Sequence, residues 1–225
     1  MNTRLRHESG FAILVAMMGL LIMSAAGMAL VLSTSTETMI ARNFRDGTAA
    51  TYAAEAVAVK GLADLAIEAD WSSVLGGSAR SSFFDGNGTG TRTLADRSTI
   101  DLTSIVNAWN CARVEGCTDA EMDHVTAERP WGQNNPRWRV YACGALADLS
   151  GSPSPYYVVL IVGDDPHETD GNPMADGTGP ETPGHDVLLL RGEAFGPGGT
   201  HSVVELTVTR GDGAEVRALS WRILR

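Results

Sequence analysis

The sequence predicts an α+β fold: one long N-terminal α-helix, membrane-spanning in its first half and amphipathic in its second, packed on an antiparallel β-sheet. Three observations carry this reading. An uncharged apolar run occupies residues 11–32, apolar residues recur at helical spacing from Tyr52 to Ala66, and after Pro136 the period falls to two in four or five runs separated by turns. The chain accordingly divides into a short flank (1–10), a membrane half-helix (11–32), an amphipathic half-helix (33–70), a loop-rich region (71–135) and a sheet region (136–225).

The apolar run reads FAILVAMMGLLIMSAAGMALVL, and nothing ionisable lies between Glu8 and Glu37. At about 1.5 Å per residue it is slightly longer than the roughly 30 Å of hydrocarbon in a bilayer. Arg4 and Arg6 precede it, so the positive-inside rule keeps this end cytoplasmic and the rest of the chain outside. The residues themselves leave its fate open. Ser24-Ala25-Ala26 and Gly27-Met28-Ala29 offer small residues where a secretory signal would be removed, and an uncleaved anchor for a periplasmic domain needs nothing more than this length.

Beyond the membrane, Tyr52, Ala56, Val59, Ala63 and Ala66 recur at spacings of four and three, with Leu62 and Leu65 widening the stripe. This alanine-rich face is expected to lie against the sheet. Lys60, Asp64 and Glu68 are expected on a solvated face, with Lys60 and Asp64 paired. Asp46-Gly47 is a turn-favouring pair, and glycine costs about 1 kcal/mol against alanine inside a helix, so a break is expected there.

From Trp71 to Asn135, glycines at 76, 77, 86, 88 and 90 punctuate short apolar pieces, which predicts loops with short elements. Trp109 and Trp131 fall here and are candidates for an interface, whereas Trp138 and Trp221 sit in strand patterns and are expected in the core or on the sheet. Trp138, Val140 and Ala142 alternate with Arg137, Arg139 and Tyr141, which puts Cys143 on the arginine face of a strand. Tyr156–Val162 is a continuous apolar run suited to a central strand, and Val187–Phe195 is a second with a polar break at Arg191. Gly196–Thr200 turns into the alternating Val204, Leu206 and Val208, and Gly211-Asp212-Gly213 precedes a last strand from Ala214 to Leu224.

With 17 basic and 27 acidic residues the chain carries a net charge of −10 and has no basic stripe, which argues against nucleic acid as a partner. The five histidines (His7, His124, His167, His185, His201) form no catalytic or metal-ligand spacing, and no glycine-rich phosphate loop opens a helix; the chain therefore reads as a non-enzyme without an organic cofactor. Acidic residues crowd the turn-rich stretch from Asp164 to Asp186. There Asp164, Asp165, Glu168, Asp170 and Asp176 are candidate calcium ligands, because calcium takes six to eight oxygens, although the spacing is not that of an EF-hand. Of the three cysteines, Cys111 and Cys117 are close enough to close a short disulfide loop in an exported domain, leaving Cys143 single; three free thiols are the alternative.

The short basic flank ending in Gly10, followed by Phe11 and an unbroken apolar helix, resembles the class III signal of type IV pilins. The stretch from Glu37 to Asp46 (ETMIARNFRD) and Ala53-Ala54-Glu55-Ala56 resemble the N-terminal region of PilX-type minor pilins, and Trp131-Gly132, Pro136-Arg137-Trp138 and Ser220–Leu224 also look like pieces such proteins carry. The resemblance covers about the first quarter of the chain. It implies a pilin-like fold, a cytoplasmic leader over residues 1–10, cutting by a prepilin peptidase between Gly10 and Phe11, and N-methylation of Phe11. It also implies a single-pass inner-membrane location before assembly into a filament, with other minor pilins and major pilins as partners. Major pilins carry a glutamate at the fifth mature position, where this chain has Val15; PilX-type proteins and K-type pseudopilins often lack it too, which implies a rare or tip-located subunit. A membrane-anchored or secreted periplasmic binding domain, and a pseudopilin of type II secretion, are the alternative readings.

Overall fold

The computed structural model describes residues 8–124, 131–177, 184–211 and 215–224. Helix α1 runs from Glu8 to Leu65 without interruption, so Asp46-Gly47 does not end it. The glycine is carried by its surroundings: the Gly47 carbonyl accepts from the Thr51 hydroxyl at 3.1 Å, and the Asp46 carbonyl from the Tyr156 hydroxyl at 2.9 Å. The chain divides into two compact units at Arg45/Asp46. In the first, no described side chain from Gly10 to Arg45 is buried. Where the apolar run gives way to polar residues, Thr34, Thr36 and Thr38 return their hydroxyls to the carbonyls of Leu30, Leu32 and Thr34, which keeps those groups satisfied along the helix.

The second unit is built on a five-stranded antiparallel sheet: β3 (Arg139–Ala145), β4 (Tyr157–Asp164), β5 (Val187–Phe195), β6 (His201–Arg210) and β7 (Val216–Leu224), in that spatial order. Each strand pairs with the next in sequence as a meander, and the β5–β6 hairpin closes at the expected turn with the Gly196 amide donating to the Thr200 carbonyl at 2.8 Å. The segment before the sheet contains α2 (Trp71–Gly76), a small hairpin of β1 (Thr91–Thr93) and β2 (Thr99–Asp101), α3 (Leu102–Cys111) and α4 (Asp119–Met122). A bend near Phe84 bridges to Cys143 and covers part of the β3 edge.

One core lies between the C-terminal part of α1 and the sheet, where Ala50, Ala53, Ala54, Val57, Ala58 and Leu65 meet Val158, Leu160, Leu188, Leu190, Val204 and Leu206. Leu65 and, partly, Leu62 of the expected stripe are buried, but the rest of the stripe is rotated: Tyr52 is 67% exposed, and Val59, Ala63 and Ala66 also face out. Size decides this. The Ala54 carbonyl would come within 2.5 Å of a Cβ placed on Gly192, and only the small-residue face allows so close an approach. Asp64 is likewise buried, not solvated, where it takes Lys60 and the Ser81 hydroxyl as partners.

A second core occupies the opposite sheet face, where Leu102, Ile105, Val106 and Trp109 of α3 and Leu94 pack on Trp138, Cys143, Tyr157, Val159 and Ile161. The loop-rich region with its short elements forms a covering layer, and β4 is buried along its whole length because both its faces are covered. A register shift between Val140 and Ala142 breaks the alternation expected in β3, sending Tyr141 into the helix-side core and Cys143 into the other, beside Trp138 and Val140. Trp138 is buried as expected. Trp221 takes the other expected place, on the sheet in β7, and is 41% exposed because β7 is an edge strand with no covering layer among the described residues.

Candidate functional site

The acidic stretch after β4 is where the fold concentrates charge without obvious compensation. Asp164 ends β4, and its Oδ1 accepts the Asp165 amide at 2.9 Å. Asp176 lies beyond the following turns, where its Oδ1 accepts the Asp186 amide at 2.8 Å just before β5, and its carbonyl accepts the Ser72 hydroxyl of α2 at 3.1 Å. Glu168 sits between them, with its amide donating to the Asp165 carbonyl at 3.0 Å. Gly184, with φ +87°, packs its backbone on Glu168; a Cβ there would lie 2.8 Å from the Glu168 Cβ.

One carboxylate oxygen from each of Asp164, Glu168 and Asp176 lies within 4.8 Å of the others, and all three residues are buried. Burial, reinforced by Glu168, pushes the Asp164 carboxyl up to about 9. Burial with Asp170 and Asp176 pushes Glu168 up to about 7, and burial raises Asp176 to about 6 against the opposing Asp186 amide and His185. The other two candidates stay apart. Asp165 caps the His167 amide and faces the His167 ring at 2.8 Å, while exposed Asp170 accepts the Asn172 amide at 2.7 Å. His185 approaches Asp176 with Nδ1 at 3.7 Å, and the Trp131 ring lies 4.9 Å from that of His167.

The structure joins Cys111, at the end of α3, to Cys117, with Cα atoms 6.0 Å apart, and leaves Cys143 free and buried. Gly10 and Phe11 lie in the first turns of α1, on the exposed side of the described chain; residues 1–7 of the expected leader lie outside the described residues. Trp109 is committed to the domain itself: its Nε1 donates to Glu193 Oε1 at 2.5 Å, while Glu193 Oε2 faces His201 Nε2 at 2.9 Å and the His201 ring stacks on Phe195. Glu193 and Glu205 are buried carboxylates that strand alternation did not single out, and Arg191, visible only as a polar break, is the cation between them.

No protein-family model, no curated protein and no solved structure matches the chain. A long N-terminal apolar helix followed by an antiparallel sheet is compatible with a pilin-like fold, and α1 is long and apolar enough in its first half to span a membrane.

Proposed function

We propose that this chain is a pilin-like structural subunit of the PilX-type minor pilin kind, acting in type IV pilus assembly and catalysing nothing. The observation that carries the reading is the division of one helix between two roles. From Phe11 to Leu32 the surface of α1 is apolar and unburied, whereas from Ala50 to Leu65 the same helix is a core element of the folded domain. Such a helix can be held in hydrocarbon and then moved into a filament, where neighbouring helices replace lipid without unfolding the domain it carries.

On this reading a prepilin peptidase cuts after Gly10, Phe11 becomes the methylated N-terminus, and the domain from Asp46 onwards stays outside the cytoplasm. Other minor pilins and major pilins are its partners. Val15 places no carboxylate in the membrane and offers none to a neighbouring N-terminal amine, which suits a rare or tip-located subunit.

The test is the N-terminal residue and intact mass of the protein from membranes and from sheared filaments, with and without the peptidase. A methylated chain beginning at Phe11, dependent on the peptidase, is expected. A start near Gly27 or Leu30 makes it an ordinary secreted domain and an intact Met1 a plain anchor; either result overturns the filament role. Co-purification with secretion components in place of pilins would assign it to a type II pseudopilus.

A further inference from the structure

We infer that Asp164, Glu168 and Asp176 hold a single divalent cation of the calcium class, which ties the end of β4 to the start of β5 and to α2. A cluster of acids alone would not carry this. The deciding feature is Glu168, which is 1% exposed, brings a carboxylate oxygen into the cluster and, among the described residues, has neither oxygen in a hydrogen bond. A buried carboxylate without donors is strongly disfavoured, since each missing partner leaves its desolvation uncompensated.

Protein cations do not fill the gap. Among the described residues, the ion pairs of these three carboxylates are limited to His185, at 3.7 Å from Asp176. Arg210, the nearest guanidinium named in the electrostatics of Asp176, spends its Nη donors on the carbonyls of Glu68 and Ala69. Three acids with carboxylate oxygens brought within 4.8 Å by separate turns, each buried, thus have among the described residues no ion-pair partner but His185, and a bound ion would supply the missing counter-charge.

The donor set selects the ion class. All three ligands are hard carboxylate oxygens, which favour calcium, magnesium or manganese over softer metals. Three carboxylates offer at most six oxygens, the lower end of what calcium takes at about 2.3–2.6 Å, and their mutual spacing lets one ion reach all three. Magnesium prefers to keep several waters, whereas Asp164, Glu168 and Asp176 are all buried away from solvent. The ligation is also mechanical: Asp176 is anchored to Asp186 and to Ser72, so an ion shared with Asp164 closes the acidic turn across two strands and α2. This inference is independent of the filament role and survives or falls separately from it.

The experiment takes the full chain in detergent, strips it with a chelator, and titrates calcium chloride or magnesium chloride by calorimetry and by thermal midpoint. One calcium per chain and a raised midpoint are expected, with magnesium much weaker. Glu168→Gln should weaken calcium binding by at least about tenfold and abolish the rise in midpoint. In chelator the same variant should melt no lower than the stripped wild type, because it removes a buried charge. Asp170→Asn, outside the cluster, should bind within about threefold of wild type. Absence of calcium binding at about millimolar concentration overturns the inference. So does equal loss in the Glu168 and Asp170 variants, which would mark diffuse loop charge, and equal binding of magnesium overturns the choice of ion. Should Glu168→Gln fail to fold by circular dichroism, Asp164→Asn carries the same expectation.

Discussion

The guanidinium carbon of Arg191 lies 3.7 Å from the centre of the Trp109 ring and 4.5 Å from that of Trp138. The cation is buried in the central strand β5, and its Nε donates to Glu205 Oε2 of β6 at 2.5 Å, while Arg222 of β7 takes the other oxygen of Glu205. Arg191 therefore fastens α3 to the sheet through a flat stacking surface and a carboxylate that a lysine would not match.

Removing the carboxylate strands this cation. Glu205→Ala is expected to cost about 3–5 kcal/mol, the usual penalty for breaking a buried pair. Arg191→Met keeps an apolar stem against both indoles and leaves Glu205 with Arg222, so it should cost clearly less. Urea unfolding followed by tryptophan fluorescence compares them; equal losses would show that packing, not charge, holds this layer.

Two glycines should respond in opposite directions to alanine. Nothing lies within 4 Å of where a Cβ would stand on Gly47, so Gly47→Ala should stabilise the helix by about 1 kcal/mol. On Gly192 the same methyl would meet the Ala54 carbonyl at 2.5 Å, with Val57 and Val204 at 3.3 and 3.2 Å, so Gly192→Ala should destabilise by about 1–3 kcal/mol. Thermal midpoints of the two variants provide the comparison, and a neutral Gly192→Ala would mean that α1 sits further from the sheet.

That contact also explains which parts of the fold were legible. The strands and the β5–β6 turn followed from alternating and continuous apolar runs and from glycine placement, because both faces of the sheet demand apolar residues, whereas the spatial order of the strands is a finding of the structure. Leu65 apart, the buried side of α1 did not follow, since Tyr52, Val59 and Ala63 form as good a stripe by spacing as Ala53, Val57 and Ala58; only the close approach at Gly192 and Gly61 distinguishes them. Glycines at 76–90 give the whole region a loop-like look that masks helix α3, whose signal is Asp101 as cap and Leu102, Ile105, Val106 and Trp109 at helical spacing. In the acidic stretch the residues were visible but not their grouping. Asp176 joins Asp164 and Glu168 through its bond to the Asp186 amide, a contact between turns that no spacing encodes.

The cysteines make a prediction that needs only mass measurement. Folded protein should show no reactive thiol, because Cys111 and Cys117 are bonded and burial both hides Cys143 and pushes its thiol up. Denaturation without reductant should expose one thiol, and denaturation with reductant three. Replacing both Cys111 and Cys117 by serine should cost about 2 kcal/mol, as expected from closing so short a loop. Three reactive thiols in denaturant alone would show that the bond does not form in the isolated protein.

The apolar half of α1 yields the sharpest test of membrane insertion, since its surface is unburied from Phe11 to Leu32 and has no use in the folded domain. Leu20→Arg or Leu21→Arg puts a charge near the middle of that run and should cost about 2.5–3.5 kcal/mol of insertion free energy. At about 1.4 kcal/mol per factor of ten, this is a loss of roughly a hundredfold in partitioning. Thr34→Arg lies just past the run, where a long cationic side chain reaches the interface, and should leave membrane retention unchanged. Carbonate extraction of membranes followed by immunoblotting separates these variants. Retention of the Leu20 and Leu21 variants at the wild-type level would mean that this segment does not span the bilayer, and the division of α1 between lipid and protein would have to be abandoned.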